Sequence, residues 1–270
     1  MKIMITGHKG FIGKNLVNYI KQNTDWEVDT YELGDGYPGV MDCDWVIHLG
    51  ANSSTTERDV NGILKQNYDF TVRLFDECKT FGVNFQYASS ASVYGLGNAF
   101  SEKSLVDPRN PYAWSKYLAE RYIVEHTGGA TAHCFRYFNV YGNHEGHKAG
   151  QASPVTQFSR QNPIKLFENS ESYLRDFIAV EDVCRVHVEF IKQVKESGVY
   201  NVGTGKTTSF KQVAELISNR NNTAIEYVPM PEILKSSYQK YTCADISKLE
   251  AVLGPQTWIS LEEWLDKYKL

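Results

Sequence analysis

Tyr112 and Lys116 in the run YAWSK place a phenol and an ammonium four residues apart, a spacing that puts both on one face of a helix. There the ammonium is expected to lower the phenol's pKa while its hydrogen bonds hold a cofactor ribose. The phenol could then exchange a proton near neutral pH. Taken alone, such a pair describes many solvated helix faces. Here it follows KIMITGHKGFIG at the chain start and YASSASVYG in the middle, in that order. Together the three point to nicotinamide redox chemistry on an alcohol.

Gly7, Gly10 and Gly13 form GxxGxxG between a short apolar β-rich run, residues 2–6, and a helical pattern over 11–21. The first glycine permits a tight turn, the second lets backbone approach a pyrophosphate, and the third lets helix pack on strand. Backbone N–H groups at the helix start then meet the phosphates. An acidic residue about 20 positions on should accept the ribose hydroxyls. Glu32 is the best candidate, with Asp29 behind it, and a carboxylate there favours NAD over NADP by repelling a 2′-phosphate. Tyr31, Glu32 and Leu33 have no basic residue beside them in sequence. Ser90, just past a strand, can hydrogen-bond a substrate alcohol or ketone. Asn67 opens the preceding long helix and reads as its cap.

The elements that must position these residues alternate. Strands are expected at 26–31, 45–49, 85–89 and 132–136, with helices at 67–81 and 112–126. That alternation argues for an α/β fold, a doubly wound parallel sheet. Only about a dozen residues separate Glu32 from WVIHL, too few for a complete αβ unit, so one helix and one edge strand should be missing there. After Gly142 the pattern becomes irregular, then gives a helix at 181–195, a strand at 199–202, a helix at 209–219, a strand at 225–228 and a helix at 260–268. We expect residues 1–142 plus 179–205 to form the cofactor domain, and 143–178 plus 206–270 a smaller substrate domain.

The 270 residues are 42% hydrophobic and 22% charged, with a formal net charge of −4. This balance gives no electrostatic reason to expect nucleic acid or an anionic membrane as partner. No stretch approaches the roughly 20 apolar residues that span a bilayer, and the start lacks signal-peptide architecture. A cytoplasmic protein is expected. The five cysteines, Cys43, Cys78, Cys134, Cys184 and Cys243, form no CxxC pair and read as free thiols. NHEGHKAG holds His144 and His147, but HExxH would need a His where Lys148 stands, so no metal site is expected.

These motifs resemble the extended short-chain dehydrogenase/reductases, in their nucleotide-sugar epimerase and dehydratase branch, across nearly the whole chain. Within that branch GANSSTTE, RYFNVYG, EGHKAGQAS, KLFENSESYLRDF and YQKYTCADI are most similar to the epimerases of ADP-activated glycero-manno-heptose at C6. The resemblance implies a Rossmann-type domain with a smaller C-terminal substrate domain, NAD or NADP as cofactor, and a nucleotide-sugar substrate. A homo-oligomer is compatible with it. Ser90, Tyr112 and Lys116 match the catalytic serine, tyrosine and lysine, and Lys148 matches a second acid/base on the opposite side of the substrate carbon. Gly7, Gly10, Phe11, Ile12, Gly13, Glu32, Leu49, Gly50, Ala51, Asn67, Tyr112, Lys116 and Val140 are the implied cofactor contacts. Asn139, Phe167, Glu168, Asn169, Ser170, Arg175 and Tyr238, with Ser90 and Lys148, are the implied substrate contacts. Without the resemblance, Arg175 and Asp176 would read as a surface salt bridge.

The implied reaction removes hydride and a proton from a sugar carbinol, lets the ketone turn over in the site, and returns hydride to its other face. The carbonyl then adopts two poses, and each needs its own proton donor, one Tyr112 and the other Lys148. The family's second strand usually ends with an Asp and favours NADP, and its EGHKGS becomes EGHKAG here. Other functions compatible with the sequence are another nucleotide-sugar epimerase, reductase or 4,6-dehydratase, or a non-catalytic dinucleotide-binding regulator. No Thr-Asp or Thr-Glu pair follows YASSAS, as a dehydratase would want, and a sensor has no need of a proton donor.

Overall fold

The computed structural model describes residues 1–37, 39–194, 196–232 and 238–268. Six strands, β1 (Lys2–Thr6), β2 (Glu27–Tyr31), β3 (Trp45–His48), β4 (Asn84–Ser90), β5 (Ala132–Tyr137) and β10 (Gly198–Val202), form one sheet in the order β10-β5-β4-β3-β1-β2. Every neighbouring pair is parallel. Alternation along β1 sends Ile3 and Ile5 to one face and Met4 to the other, where they join different cores, as the two-residue period of a strand requires. Helices α1 (Phe11–Asn23) and α6 (Val180–Gln193) cover the first face through Leu16, Ile20, Val180 and Cys184. The opposite face is covered by α3 (Phe70–Phe81) and α4 (Pro111–Glu125) through Leu74, Phe75, Ala119 and Ile123. Such two-sided cover is the doubly wound arrangement.

Among the described residues no helix stands between β2 and β3, so β2 is the sheet's edge, in line with the short spacing after Glu32. The chain reverses its strand order between β1 and β3, which puts the ligand crevice beyond their C-terminal ends. The helix expected at 67–81 starts earlier. Asp59 caps α2 (Val60–Leu64) by accepting from Gly62 N–H. The chain then passes through a π-helical turn, Lys65–Asp69, where Phe70 N–H bonds the Lys65 carbonyl, and continues as α3. Asn67 is therefore no cap; it sits in the wide turn, and the reason is that Asp59 supplies the cap about two turns sooner.

Beyond β5 come the strands β6 (Asn139–Tyr141), β7 (Ile164–Phe167), β8 (Leu174–Arg175) and β9 (Phe177–Ala179), with the short helix α5 (Pro154–Ser159). After β10 follow β11 (Thr208–Ser209), α7 (Phe210–Asn221), β12 (Ile225–Val228), β13 (Tyr241–Thr242), α8 (Ser247–Leu253) and α9 (Leu261–Lys267). A separate core forms here from Val155, Phe158, Ile164, Leu166, Val213, Ile217 and Trp264. The sequence pattern did not foresee α8. Its Leu249 packs with Phe135, Val183 and Tyr200 against the main sheet rather than with that second core.

Candidate active site

The first two strand ends meet at the glycine loop. Gly7 adopts φ +73°, and a Cβ there would lie 2.6 Å from Gly50 N, so only glycine allows β1 and β3 to converge this closely. A Cβ on Gly13 would lie 2.2 Å from the Gly7 carbonyl oxygen, whereas Gly10 has more room. Helix α1 starts at Gly10 with no side-chain cap and no acidic residue in its first turn. Its orphan N–H groups are thus left for an anion, which is what a dinucleotide pyrophosphate needs.

A cavity of about 740 Å³ opens beside this loop, lined by Gly7, Tyr31, Glu32, Gly50, Ala51 and Asn52 on one side and Lys65, Asp69, Phe70 and Arg73 on the other. The π-helical turn and the start of α3 thus supply that second wall. Glu32 stands at the cavity with Oε2 accepting from Lys9 N–H at 3.0 Å. The sequence neighbourhood of Glu32 is free of basic residues, yet folding brings Lys9 to it and Lys65 and Arg73 to the same cavity. Lys9 pairs with Asp35 at 3.2 Å. The residues present fit the adenosine half of a dinucleotide: a carboxylate for ribose hydroxyls, an uncapped helix start and an aromatic floor of Tyr31 stacked on Phe70 at 5.9 Å.

Tyr112 and Lys116 share the inner face of α4, as their spacing implies, and Ser90 reaches them from the end of β4. Burial pushes the Tyr112 phenol up, and the Ser90 hydroxyl beside it opposes this in part. The expected lowering by Lys116 does not occur. The ammonium lies 5.9 Å from the Tyr112 ring centre and 4.9 Å from that of Tyr87, over rings rather than at the oxygen. Burial also draws Lys116 itself down to about 7, because a low-dielectric site penalises whichever form is charged.

Tyr87 went unnoticed in the sequence, although alternation along β4 puts Phe85, Tyr87 and Ser89 on the face that meets α4. The Ser89 hydroxyl donates to Glu120 at 2.7 Å, and Glu120 is paired with Arg136 inside the fold. This buried trio ties β4, α4 and β5 together directly beneath Ser90 and Lys116.

Lys148 lies in the helical turn 146–151, with its ammonium 5.2 Å from the centre of the Phe11 ring. Burial lowers its pKa, opposed by the nearby Glu145 carboxylate. Glu145 is itself buried and accepts from Ser153 N–H, Ser153 Oγ and Thr156 Oγ1 at 2.6, 2.7 and 2.7 Å. It thereby anchors the turn that carries Lys148, a role signalled in sequence only by the Ser and Thr that open α5. Gln151 of the same turn donates to Ser54 Oγ at 3.1 Å, so the EGHKAGQ and GANSSTTE segments touch.

The expected substrate contacts gather around Arg175. Its guanidinium stands 5.3 Å from the Phe210 ring centre and 5.6 Å from Tyr238, and Tyr238 packs edge-on against Phe167 at 6.2 Å. Arg175 makes its hydrogen bonds to the carbonyls of Leu174 and Gln239, and burial lowers its pKa. Asn169 takes φ +59° and the Ser170 hydroxyl is buried without a partner. Asn139 N–H bonds the Asp176 carbonyl at 3.0 Å, placing β6 beside this group, and Val140 packs next to Ile12 and Leu49.

Arg175 and Asp176 are not a surface salt bridge. Asp176 is fully buried and accepts from Thr204 N–H, Thr204 Oγ1, Gly205 N–H and Ala244 N–H at 2.7–3.0 Å. Four donors compensate its desolvation, and Arg175 turns the other way. No group of His, Cys, Asp and Glu suited to a metal ion exists among the described residues, and no helix among them is long and apolar enough to cross a membrane.

The family model for the NAD dependent epimerase/dehydratase family matches residues 37–203. A relative named ADP-L-glycero-D-manno-heptose-6-epimerase, from Alkalilimnicola ehrlichii, is 35% identical, the alignment covering 92% of this chain and 90% of the relative. The Helicobacter pylori enzyme of the same name superposes with a TM-score of 0.87 at 27% identity, covering 99% of this chain and 94% of that one. UDP-glucose 4-epimerase from Thermotoga maritima, solved with UDP-glucose, gives a TM-score of 0.85 at 26% identity, covering 98% and 96%. A glycine loop uncapped for phosphate, a Ser-Tyr-Lys set beside it and similarity along the whole chain converge: this protein belongs to the NAD dependent epimerase/dehydratase family.

Proposed function

We propose that this enzyme epimerises ADP-activated glycero-manno-heptose at C6, in the cytoplasm, by oxidation to a ketone and re-reduction on the other face. The glycine loop and Glu32 would hold NAD, which when bound would supply reversible hydride acceptance at the sugar carbon. Tyr112 takes the hydroxyl proton in one pose of the sugar, with Ser90 hydrogen-bonding at the same oxygen. Lys116, on the same helix face as Tyr112, would hold the nicotinamide ribose. Lys148 exchanges the proton in the other pose, a role that the lowering of its pKa by burial favours. Arg175, set against the adjoining rings of Phe210 and Tyr238, meets the diphosphate with its planar fork. Asn139, Phe167, Glu168, Asn169 and Ser170 complete the sugar-nucleotide wall. In this division of labour, residues 1–142 with 179–205 carry the dinucleotide, and 143–178 with 206–270 the sugar nucleotide. The segment Ser247–Leu253 is packed on the first unit.

The supporting observation is the hydrogen bond between Gln151 and Ser54. It joins the two segments most specific to the heptose epimerases into one wall next to Lys148. The test is to incubate the protein with ADP-D-glycero-D-manno-heptose and follow the C6 epimer ratio by NMR, with Tyr112→Phe as control. A mixture of both epimers is expected, with turnover lowered about 10²-fold or more in the variant. No conversion by NAD-loaded protein would remove the heptose from this reading and leave the redox site.

A further inference from the structure

A chain of buried polar side chains runs from the dinucleotide loop to the helix bearing Tyr112 and Lys116, and no step of the proposed reaction uses it. At its centre is His48 on β3, 1% exposed. The imidazole is ringed by Phe70, Tyr87 and Phe85 at centroid distances of 5.6, 5.9 and 6.1 Å. A phenyl ring would suit so aromatic a hole, and an imidazole is costly there unless both nitrogens are bonded. Both are. Nδ1 lies 2.6 Å from Thr6 Oγ1, and Nε2 lies 2.8 Å from Thr71 Oγ1.

The direction of each bond follows from its neighbours. Thr71 Oγ1 donates its own proton to the Asn67 carbonyl at 2.6 Å, so it must accept from His48 Nε2–H. His48 Nδ1 is then bare and accepts from the Thr6 hydroxyl, whose oxygen takes Gly50 N–H at 3.3 Å. From Asn67 the chain continues through its side chain. Nδ2 donates to Ser115 Oγ at 3.0 Å, and Ser115 Oγ donates to the Tyr112 carbonyl at 2.7 Å. Asn67 also holds both backbone groups of Asn52 at the cavity wall. One end of the chain is therefore the residue before Gly7, and the other is the backbone of Tyr112.

We propose that His48 is a positioning residue, a neutral two-sided hydrogen-bond link that sets the dinucleotide loop relative to the catalytic helix. The role rests on the assignment of Tyr112 and Lys116 made under Proposed function. Burial first, and the Lys116 charge second, push the imidazole's pKa down to about 3, so the neutral tautomer holds throughout the range in which such an enzyme would be assayed. Asn67 lies in the π-helical turn, consistent with such turns gathering at working sites.

The test uses the full chain and two variants. Thr71→Val keeps the volume and removes one link; His48→Phe keeps a ring and removes two. In the wild type, ¹⁵N NMR of the imidazole should show Nε2 protonated and Nδ1 bare. Turnover per folded molecule should fall about 10-fold in Thr71→Val and about 100-fold in His48→Phe, as expected for a small misplacement of reacting groups. KM for the nucleotide sugar should stay within about twofold, since its contacts lie on other elements. NAD affinity should weaken about tenfold in His48→Phe. Unchanged turnover and unchanged NAD affinity in both variants, or a proton on Nδ1, would overturn the proposal. If the wild type does not turn over ADP-heptose, the substrate reading fails, and the tautomer and NAD titrations still decide this one.

Discussion

Replacing Lys116 by methionine is expected to stabilise the protein while abolishing turnover. Lys116 is 3% exposed, and burial draws its pKa from the ordinary lysine value of about 10.4 to about 7. The folded protein therefore holds this proton less tightly than the unfolded chain does. Below pH 7 both states are charged and the fold carries the whole penalty, about 4–5 kcal/mol by linkage. Between pH 7 and about 10.4 the unfolded amine is charged and the folded one neutral, so wild-type stability rises through that window and the penalty is gone above it. Methionine keeps the unbranched stem and carries no charge. It gives up the ammonium's contacts with the Tyr87 and Tyr112 rings, about 1–2 kcal/mol. The net gain is about 3 kcal/mol near pH 6, equivalent to about 6–12 °C in Tm for a chain of this length. The assay is a pair of thermal melts on cofactor-free wild type and Lys116→Met near pH 6 and pH 10, alongside turnover. The Tm gap should be largest at the lower pH and close at the higher. An equal or lower Tm for the variant near pH 6, or a gap that does not shrink, would refute the desolvation argument. Retained turnover would refute the role.

Three further outcomes are expected. Lys148→Ala should cut epimerisation about 10²-fold or more with NAD affinity unchanged, and a fully active variant would end the account with two proton donors. NAD should bind more tightly than NADP because Glu32 lines the cavity beside the glycine loop, with Glu32→Gln narrowing the difference. Fluorescence titration showing an NADP preference would reverse that assignment and turn attention to Lys9, Lys65 and Arg73. Gly7→Ala forces a Cβ to within 2.6 Å of Gly50 N at φ +73°, so denaturation should show a loss of about 1–3 kcal/mol and NAD titration a marked loss of affinity. Wild-type affinity in that variant would contradict the need for close approach.

Much of the frame was legible because local pattern reports local structure. Strand–helix alternation identified β1, β3, β4, β5 and the parallel sheet, and the four-residue spacing of Tyr112 and Lys116 put them on one face of α4. The short interval after Glu32 implied a missing unit, and none is found between β2 and β3 among the described residues. The start of the helix before Phe70 was misjudged because the π-helical turn interrupts the 3.6-residue period by which a helix is read. The electrostatic reading of Tyr112 failed for a different reason. Four-residue spacing says that two side chains are neighbours, but not whether burial outweighs their attraction.

By itself the sequence determined the sheet and the glycine loop at its first turn, because each rests on residues near one another in the chain or on a repeating period. Only the tertiary structure decided what those groups are chemically. It buried Lys116 beside Tyr87, brought Lys9 to Glu32 with Lys65 and Arg73 on the same cavity, and took Asp176 out of solvent onto four donors. It also linked Thr6 to Tyr112 through His48, across 42 residues in one step and 48 in another. Such contacts join segments that no local pattern relates, and the low dielectric they create, rather than residue type, sets the charge each group carries.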